Sequence, residues 1–477
     1  MRVLLLAAEA APLVKVGGLA DVAGSLPQAL HALGHDVRIA IPGYGAIDWA
    51  GIAPTSRARL DVRRAGGIET AEIFEATVDG VAFVLVTGPP IPRDGRIYGS
   101  GMSEDGPKFL FFSLAALWAS QALGWKPDVV HANDWHTAAA VYWLATAGRR
   151  NDFFASVASL FTIHNLPYRG EGAGRFLGEY GLPQGELSSA LPAGLRDSLL
   201  ALGLVSADIL TTVSPTYARE IVTPEGGYGL DGILRARQER LSGVLNGIDP
   251  MLWNPETDSA LAARYGATTL ARRGANKKAL QQEALLAPEA RPLLAMVTRL
   301  DPQKGLDIAA PAVRRWLESG GQFILLGTGR PEIEREFAQL ELSFPGRASV
   351  RLRFDPVYAR RIYGGADMLL IPSRYEPCGL TQMIAMRYGA VPVARRTGGL
   401  ADTITDAAEP VGTGFLFDEY SPPALWSGLE RALRVYADPK KWRQMQRRGM
   451  RSDFSWSRPA ARYSELYGRA REIRGSA

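Results

Sequence analysis

Two doubly wound α/β domains, each with a ligand-facing edge, are predicted for this 477-residue chain by three observations. Short apolar runs alternate with helical patterns from Val3 to Phe417, the pattern of parallel sheets joined by crossover helices. The alternation lapses past Trp253 and begins afresh at Leu293, which places a domain boundary near Gly247. One pentapeptide, Gly-Gly-Leu-Ala-Asp, occurs at Gly17 to Asp21 and again at Gly398 to Asp402, each copy after a strand and before a helix. Nothing recurs at a fixed period, so a repeat array is not indicated.

Val3 to Ala8 reads as a buried strand, and Leu19, Val22, Ala23, Leu26, Leu30 and Leu33 share one face of the helix that follows. Pro27 inside that helix predicts a kink. Asp36 to Pro42 returns as a strand, which puts Lys15, Gly17, Gly18 and Asp21 at the carboxyl end of the first strand. Three runs repeat the arrangement: Asp128 to Ala132 leads into Asn133-Asp134-Trp135-His136, Ser159 to Ile163 into His164-Asn165, and Ile209 to Val213 into Ser214-Pro215. Ser214 is placed as an N-cap and Pro215 as the first helical residue. Leu241 to Leu245 runs into Asn246-Gly247, and the polar, Ala-rich segment from Trp253 to Arg291 reads as helical and weakly packed. The second half offers strands at Leu293 to Val297, Phe323 to Leu326, Ser349 to Phe354, Asp367 to Pro372, Val391 to Ala394 and Phe415 to Phe417, then an Arg-rich helical remainder.

Hydrophobic content of 47% and charged content of 22% are ordinary for a globular protein. The net charge of +5 is carried by scattered Arg and Lys, which argues against nucleic acid or a membrane surface as partner while leaving discrete anions open. The lone cysteine, Cys378, has no disulfide partner within the chain and fits a reducing compartment. The first apolar run stops at Glu9, too short for a secretory signal. No stretch reaches the roughly 18 apolar residues of a membrane span, and a cytoplasmic protein is expected.

In a parallel sheet, the loops at the carboxyl ends of the strands carry ligands. The loop after Asp367 to Pro372 holds Arg374, Glu376, Cys378 and Gly379. Gly379, Leu380 and Thr381 then open a helix, whose free amides and positive dipole end suit a phosphate. A carboxylate beside such an anion site repels the anion, so Glu376 reads as functional; the alternative is that it caps the helix. Cys378 adjoins the same helix start, where the dipole lowers a thiol pKa, so its alkylation is expected to inhibit and the phosphate-bearing ligand to protect. Arg299 and Lys304 flank one turn, a fork of donors and a point charge suited to a diphosphate, unless they are only a solvated basic turn. Among the histidines, His31 and His35 flank a helix end and read as structural, whereas His164 sits at a strand end beside Asn165, where its donor would reach a substrate hydroxyl. There is no His-Glu-x-x-His and no Cys-His cluster, so a protein-bound metal is not expected.

The segments Lys15 to Val22, His131 to His136, Thr162 to Leu166, Val213 to Ala218, Val244 to Asp249, Arg299-Leu300 with Gln303-Lys304-Gly305, Pro372 to Leu380 and Arg396 to Leu400 resemble, in order and across nearly the whole chain, the bacterial glycogen synthase and plant starch synthase family. The resemblance implies a GT-B fold, two Rossmann-like domains facing a deep interdomain crevice. Residues 1–246 would be the glucan acceptor side, with 457–477 crossing back to it, and 247–456 the nucleotide-sugar donor side. The implied reaction moves glucose from ADP-glucose to the non-reducing end of an α-1,4-glucan with retention of configuration. It needs no cofactor or metal.

By the same resemblance, Glu376, His164, Lys304 and Arg299 are the catalytic set. The donor would be held by Lys15, Gly18, Asp21, Asn246, Arg299, Lys304, Phe354, Cys378, Gly379, Leu380, Thr381, Thr397, Gly398 and Gly399. Asp134, Trp135, His164, Asn165 and Tyr98 would serve the glucosyl group or acceptor. Two departures stand out: Asn133 occupies a place where the family often has a histidine, and Phe354 one where it often has a tyrosine. The rivals are a synthase using UDP-glucose and a catalytically silent glucan-binding protein. Retention of Lys15, Arg299, Lys304 and Glu376 together speaks against the silent protein.

Overall fold

The computed structural model describes residues 1–182 and 185–476. The chain forms two compact units, Met1–Gly247 with Trp456–Ala477, and Ile248–Ser455. Among the described residues no helix is long and apolar enough to cross a membrane.

The first unit is built on strands β1 (Arg2–Leu6), β2 (Asp36–Pro42), β3 (Thr55–Arg64), β4 (Gly67–Val78), β5 (Val81–Thr87), β6 (Val129–Asn133), β7 (Ala158–Ile163), β8 (Ile209–Thr212) and β9 (Leu241–Gly243). They form one sheet in the order β3-β4-β5-β2-β1-β6-β7-β8-β9. β2 and β6 flank β1, both parallel to it, with Leu4 opposite Arg38 and Val130. β1 is therefore an interior strand, and the burial of Val3, Leu4, Leu5 and Leu6 in succession shows both its faces covered. β3 and β4 run antiparallel at one edge. The β4–β5 turn is Asp79-Gly80, both at positive φ (49° and 78°), which a two-residue hairpin requires.

The second unit carries β10 (Leu293–Val297), β11 (Gln322–Leu326), β12 (Ala348–Arg351), β13 (Met368–Ile371), β14 (Val391–Arg395) and β15 (Phe415–Phe417), in the order β12-β11-β10-β13-β14-β15. Every pairing in it is parallel. Its core gathers Leu294, Met296, Trp316, Phe323, Met368 and Val393. In each sheet the strand order reverses at the first strand, β1 or β10, and such a reversal opens a crevice at the carboxyl ends.

Ser214 caps its helix as the sequence predicts, accepting from the Tyr217 amide at 3.1 Å with Pro215 next in line. The Ser457–Gly475 helix belongs to the first unit: Tyr467 and His131 Nδ1 are hydrogen-bonded at 2.8 Å, and Arg474 reaches Asp208 at 3.2 Å. The helix Gly18–Ala32 continues through Pro27, whose side chain is buried. One expectation needs correction. The segment from Trp253 to Arg291 is neither mostly helical nor loose. Its α-helix covers Arg273–Glu283, Tyr265 donates to the Tyr388 carbonyl at 2.6 Å, and buried Arg273 donates to the Tyr388 and Tyr363 carbonyls at 3.0 and 3.1 Å. Polar side chains satisfying backbone carbonyls pin it, a form of packing that a scan for apolar periodicity does not register.

Candidate active site

In the first unit, Glu9 lies just beyond β1 and organises the loop that follows. Its carboxylate accepts from the amides of Val16 and Gly17 and from the Tyr98 hydroxyl at 3.3 Å. Gly17 ends the loop and Gly18 starts the helix. Lys15 Nζ pairs with Asp21 Oδ1 at 2.6 Å. Burial raises the carboxyls of both Glu9 and Asp21, opposed by the loop amides in one case and by Lys15 in the other. Glu9 was missed from the sequence, where it marked only the end of an apolar run; a charged side chain directly after a fully buried strand was the available signal.

At the end of β6, Asp134 has φ 57° and ψ 178°, a conformation nearly reserved for glycine. Its amide donates to the Thr162 carbonyl at 2.9 Å, and its carboxylate accepts from the amides of His164 (2.7 Å) and Asn165 (3.4 Å). These bonds hold the strained residue and tie the end of β6 to that of β7. Burial pushes the Asp134 carboxyl up to about 7 despite the two amides, with the charge of Glu9 adding to the rise. Burial pushes His164 down to about 3, so its imidazole is neutral at working pH. Nε2 of His164 lies 2.8 Å from Asn133 Oδ1. The sequence reading has a donor of His164 reaching a substrate hydroxyl; its backbone N–H is engaged by Asp134, and its Nε2 faces the Asn133 oxygen. The rings of Trp135 and His136 lie 4.1 Å apart, and Tyr98 lies 5.5 Å from His136. Asn246 is buried, and its Oδ1 has no partner among the described residues.

In the second unit, Arg299 follows β10, exposed and with no ion-pair partner among the described residues. Lys304 ends the short turn Pro302–Lys304 and reaches both oxygens of Glu376, at 2.9 and 2.8 Å. Ser373 donates to the same carboxylate at 2.7 Å. Glu376 is nearly sealed, so the ion pair is a buried one. The helix Thr381–Arg387 has no side-chain cap, which excludes the capping role for Glu376. The Glu376 loop is packed from below by the second pentapeptide. Gly399 donates its amide to the Glu376 carbonyl at 3.0 Å, and Gly398 sits at φ +44° with that oxygen 1.9 Å from where a Cβ would stand. The Thr397–Gly399 turn and the Cys378–Thr381 turn are thus brought together. Phe354 stands apart, 77% exposed and with no ring contact among the described residues. Cys378 is only 4% exposed, so a reagent must open the loop to reach its thiol.

Two doubly wound domains, each bearing charged and hydrogen-bonding residues at the reversal point of its sheet, fit a GT-B-type glycosyltransferase. Residues 2–236 match the family described as starch synthase catalytic domain, and residues 277–449 match glycosyl transferases group 1. A glycogen synthase of Syntrophotalea carbinolica is 45% identical over 99% of both chains, and one of Moorella thermoacetica is 42% identical over 100% of this chain and 98% of its own. The catalytic domain of starch synthase IV from Arabidopsis thaliana, solved bound to ADP and acarbose, matches with a TM-score of 0.92 and 36% identity over 98% of this chain and 99% of its own. The chain belongs to the glycogen and starch synthase family.

Proposed function

We propose that this glycosyltransferase moves glucose from ADP-glucose to the non-reducing end of an α-1,4-glucan with retention of anomeric configuration. The observation that carries the proposal is the group at the β10 reversal point: an uncommitted Arg299, the buried Lys304–Glu376 pair and the glycine turn beneath it. Departure of a nucleoside diphosphate leaves negative charge on the leaving group and positive charge on the sugar. Arg299 and Lys304 meet the first. Glu376 meets the second. Its two oxygens already accept from Lys304 and Ser373, which lowers its nucleophilicity and favours same-face attack assisted by the leaving diphosphate over a covalent glucosyl-enzyme. Asp134 fixes the His164 and Asn165 backbone that faces the glucosyl group, and Phe354 offers an exposed ring to the donor base.

No step draws on a metal. With ADP-, UDP- and GDP-glucose offered to the enzyme and a linear α-1,4-glucan primer, ADP-glucose is expected to be used well above the others, and activity to persist in EDTA. Equal rates with ADP- and UDP-glucose would overturn the donor assignment, and a magnesium-reversible loss in EDTA the metal-free one.

A further inference from the structure

Asn133 is the last residue of β6. Its side chain is buried and makes bonds on both ends of the amide. Nδ2 lies 2.9 Å from the Leu6 carbonyl of β1 and 3.5 Å from the His131 carbonyl, and Oδ1 lies 2.8 Å from His164 Nε2. Backbone carbonyls only accept, so they fix which end of the amide is NH2. The oxygen must then face His164, and an oxygen only accepts. It follows that Nε2 of the neutral imidazole carries the proton and Nδ1 carries the lone pair. Nδ1 has no partner among the described residues and is not among the buried polar atoms sealed from solvent. Asn133 itself is held still, since its amide N–H donates to Thr137 Oγ1 at 2.6 Å and its carbonyl accepts from the same hydroxyl at 2.9 Å.

We propose that Asn133 is a positioning residue that locks His164 in its Nε2–H tautomer, so that the ring presents Nδ1 to the sugar as a hydrogen-bond acceptor. This deepens the transfer reading above and rests on it for the identity of the sugar. The ring then accepts a hydrogen bond from a glucosyl hydroxyl, and a hydroxyl so engaged is oriented with its own lone pairs elsewhere. A histidine at position 133 would enforce no single tautomer, because its facing nitrogen either donates or accepts. The titratable groups around the ring are His131 on β6, His136 just beyond it and the Asp134 carboxylate on the His164 amide. Burial pushes both histidines down to about 3, so neither supplies a competing positive charge.

Three measurements test this. Nitrogen-15 resonances of the His164 ring, assigned by their loss in His164→Gln, are expected to show protonated Nε2 and bare Nδ1 in the wild type near neutral pH; an Nδ1–H form, or exchange between the two, overturns the proposal whatever the enzyme's donor is. Asn133→Leu is expected to lower kcat about tenfold while calorimetric ADP binding is kept; unchanged kcat in a folded variant overturns it. Asn133→Asp keeps the acceptor but raises the basicity of the ring, so Nδ1 protonates at higher pH and becomes a donor. That variant is expected to lose kcat as pH falls from about 8 to about 5, and a profile parallel to the wild type's overturns the proposal. Should the wild type transfer no glucose from any donor, the functional reading fails while the resonances still decide the tautomer.

Discussion

The two copies of Gly-Gly-Leu-Ala-Asp share five residues and almost nothing else. In the first, Gly17 is extended at φ −137° and the turn is gripped from outside by a side chain, with the Glu9 carboxylate on the Gly17 amide and on that of Val16 just before it. In the second, Gly398 is left-handed and the turn is pressed against main chain, the Glu376 and Cys378 carbonyls lying 1.9 and 2.1 Å from the places a Cβ on Gly398 and Gly399 would take. The first begins the 15-residue helix Gly18–Ala32 and the second the six-residue helix Gly398–Thr403. Glycine is needed in the second copy for lack of room and for its backbone angle. In the first, the nearest atom to a Cβ on Gly17 is Glu9 Oε1, at an ordinary 3.4 Å. The same five letters thus mean different things because different loops lie beside them.

Gly398→Ala should sharpen this difference most. It is expected to lose more than about 3 kcal/mol of stability by urea unfolding, from strain at positive φ plus the carbonyl clash. Gly17→Ala should lose less than about 1 kcal/mol. Equal losses would break the comparison.

Next comes the residue each turn leans on. Glu376 supports its turn through its carbonyl and uses its carboxylate on Lys304, so Glu376→Gln should leave the turn intact. The expected result is a kcat lower by about 100- to 1000-fold with little change in ADP affinity. A pure affinity defect would show that the carboxylate serves binding alone.

A smaller effect belongs to the first copy's surroundings, where carboxyls are pushed upward. Asp134, raised to about 7, keeps in the folded protein a proton that the unfolded chain releases above about pH 4. Its contribution therefore favours folding at low pH and fades as pH rises toward about 7. Relative to Asp134→Asn, the wild type should lose stability across that window and then level off, as read from urea midpoints. A gain in stability with rising pH would mean that the two amides outweigh burial. The smallest effect is expected at Cys378, where a thiol reagent should label the native enzyme slowly and at a rate indifferent to ADP. Fast labelling blocked by ADP would place the thiol at the surface of the donor site.

Much of this architecture is legible in the amino acids. Asp36–Pro42, Leu293–Val297 and Phe415–Phe417 end where their apolar runs end, because strands buried on both faces leave no other place for those side chains. The edge strands β3 and β4 were passed over. Their residues alternate charge with modest apolarity, and only Asp79-Gly80 announced the hairpin. The site divides in the same way. Arg299, Lys304, Glu376 and His164 stand on strand-end loops, where residue type and place together signal chemistry. Glu9 was hidden because its work is to hold amides seven and eight residues away, and Asn133, read as a mere departure, gave no sign that its side chain meets the His164 ring. Contacts between side chains and distant backbone leave no period in a sequence.

The return of the Ser457–Gly475 helix to the first unit bears on how the protein is made. A ribosome delivers β1 through β9 first, then all of Ile248–Ser455, and only afterwards the helix that covers His131 and supplies Arg474 to Asp208. Until then Asp208 has the Ser159 amide and hydroxyl at 2.8 and 2.9 Å but lacks the arginine that lies nearly sealed beside it in the finished fold. The nascent chain thus carries an open flank on its first unit until the Ser457–Gly475 helix has emerged to close it.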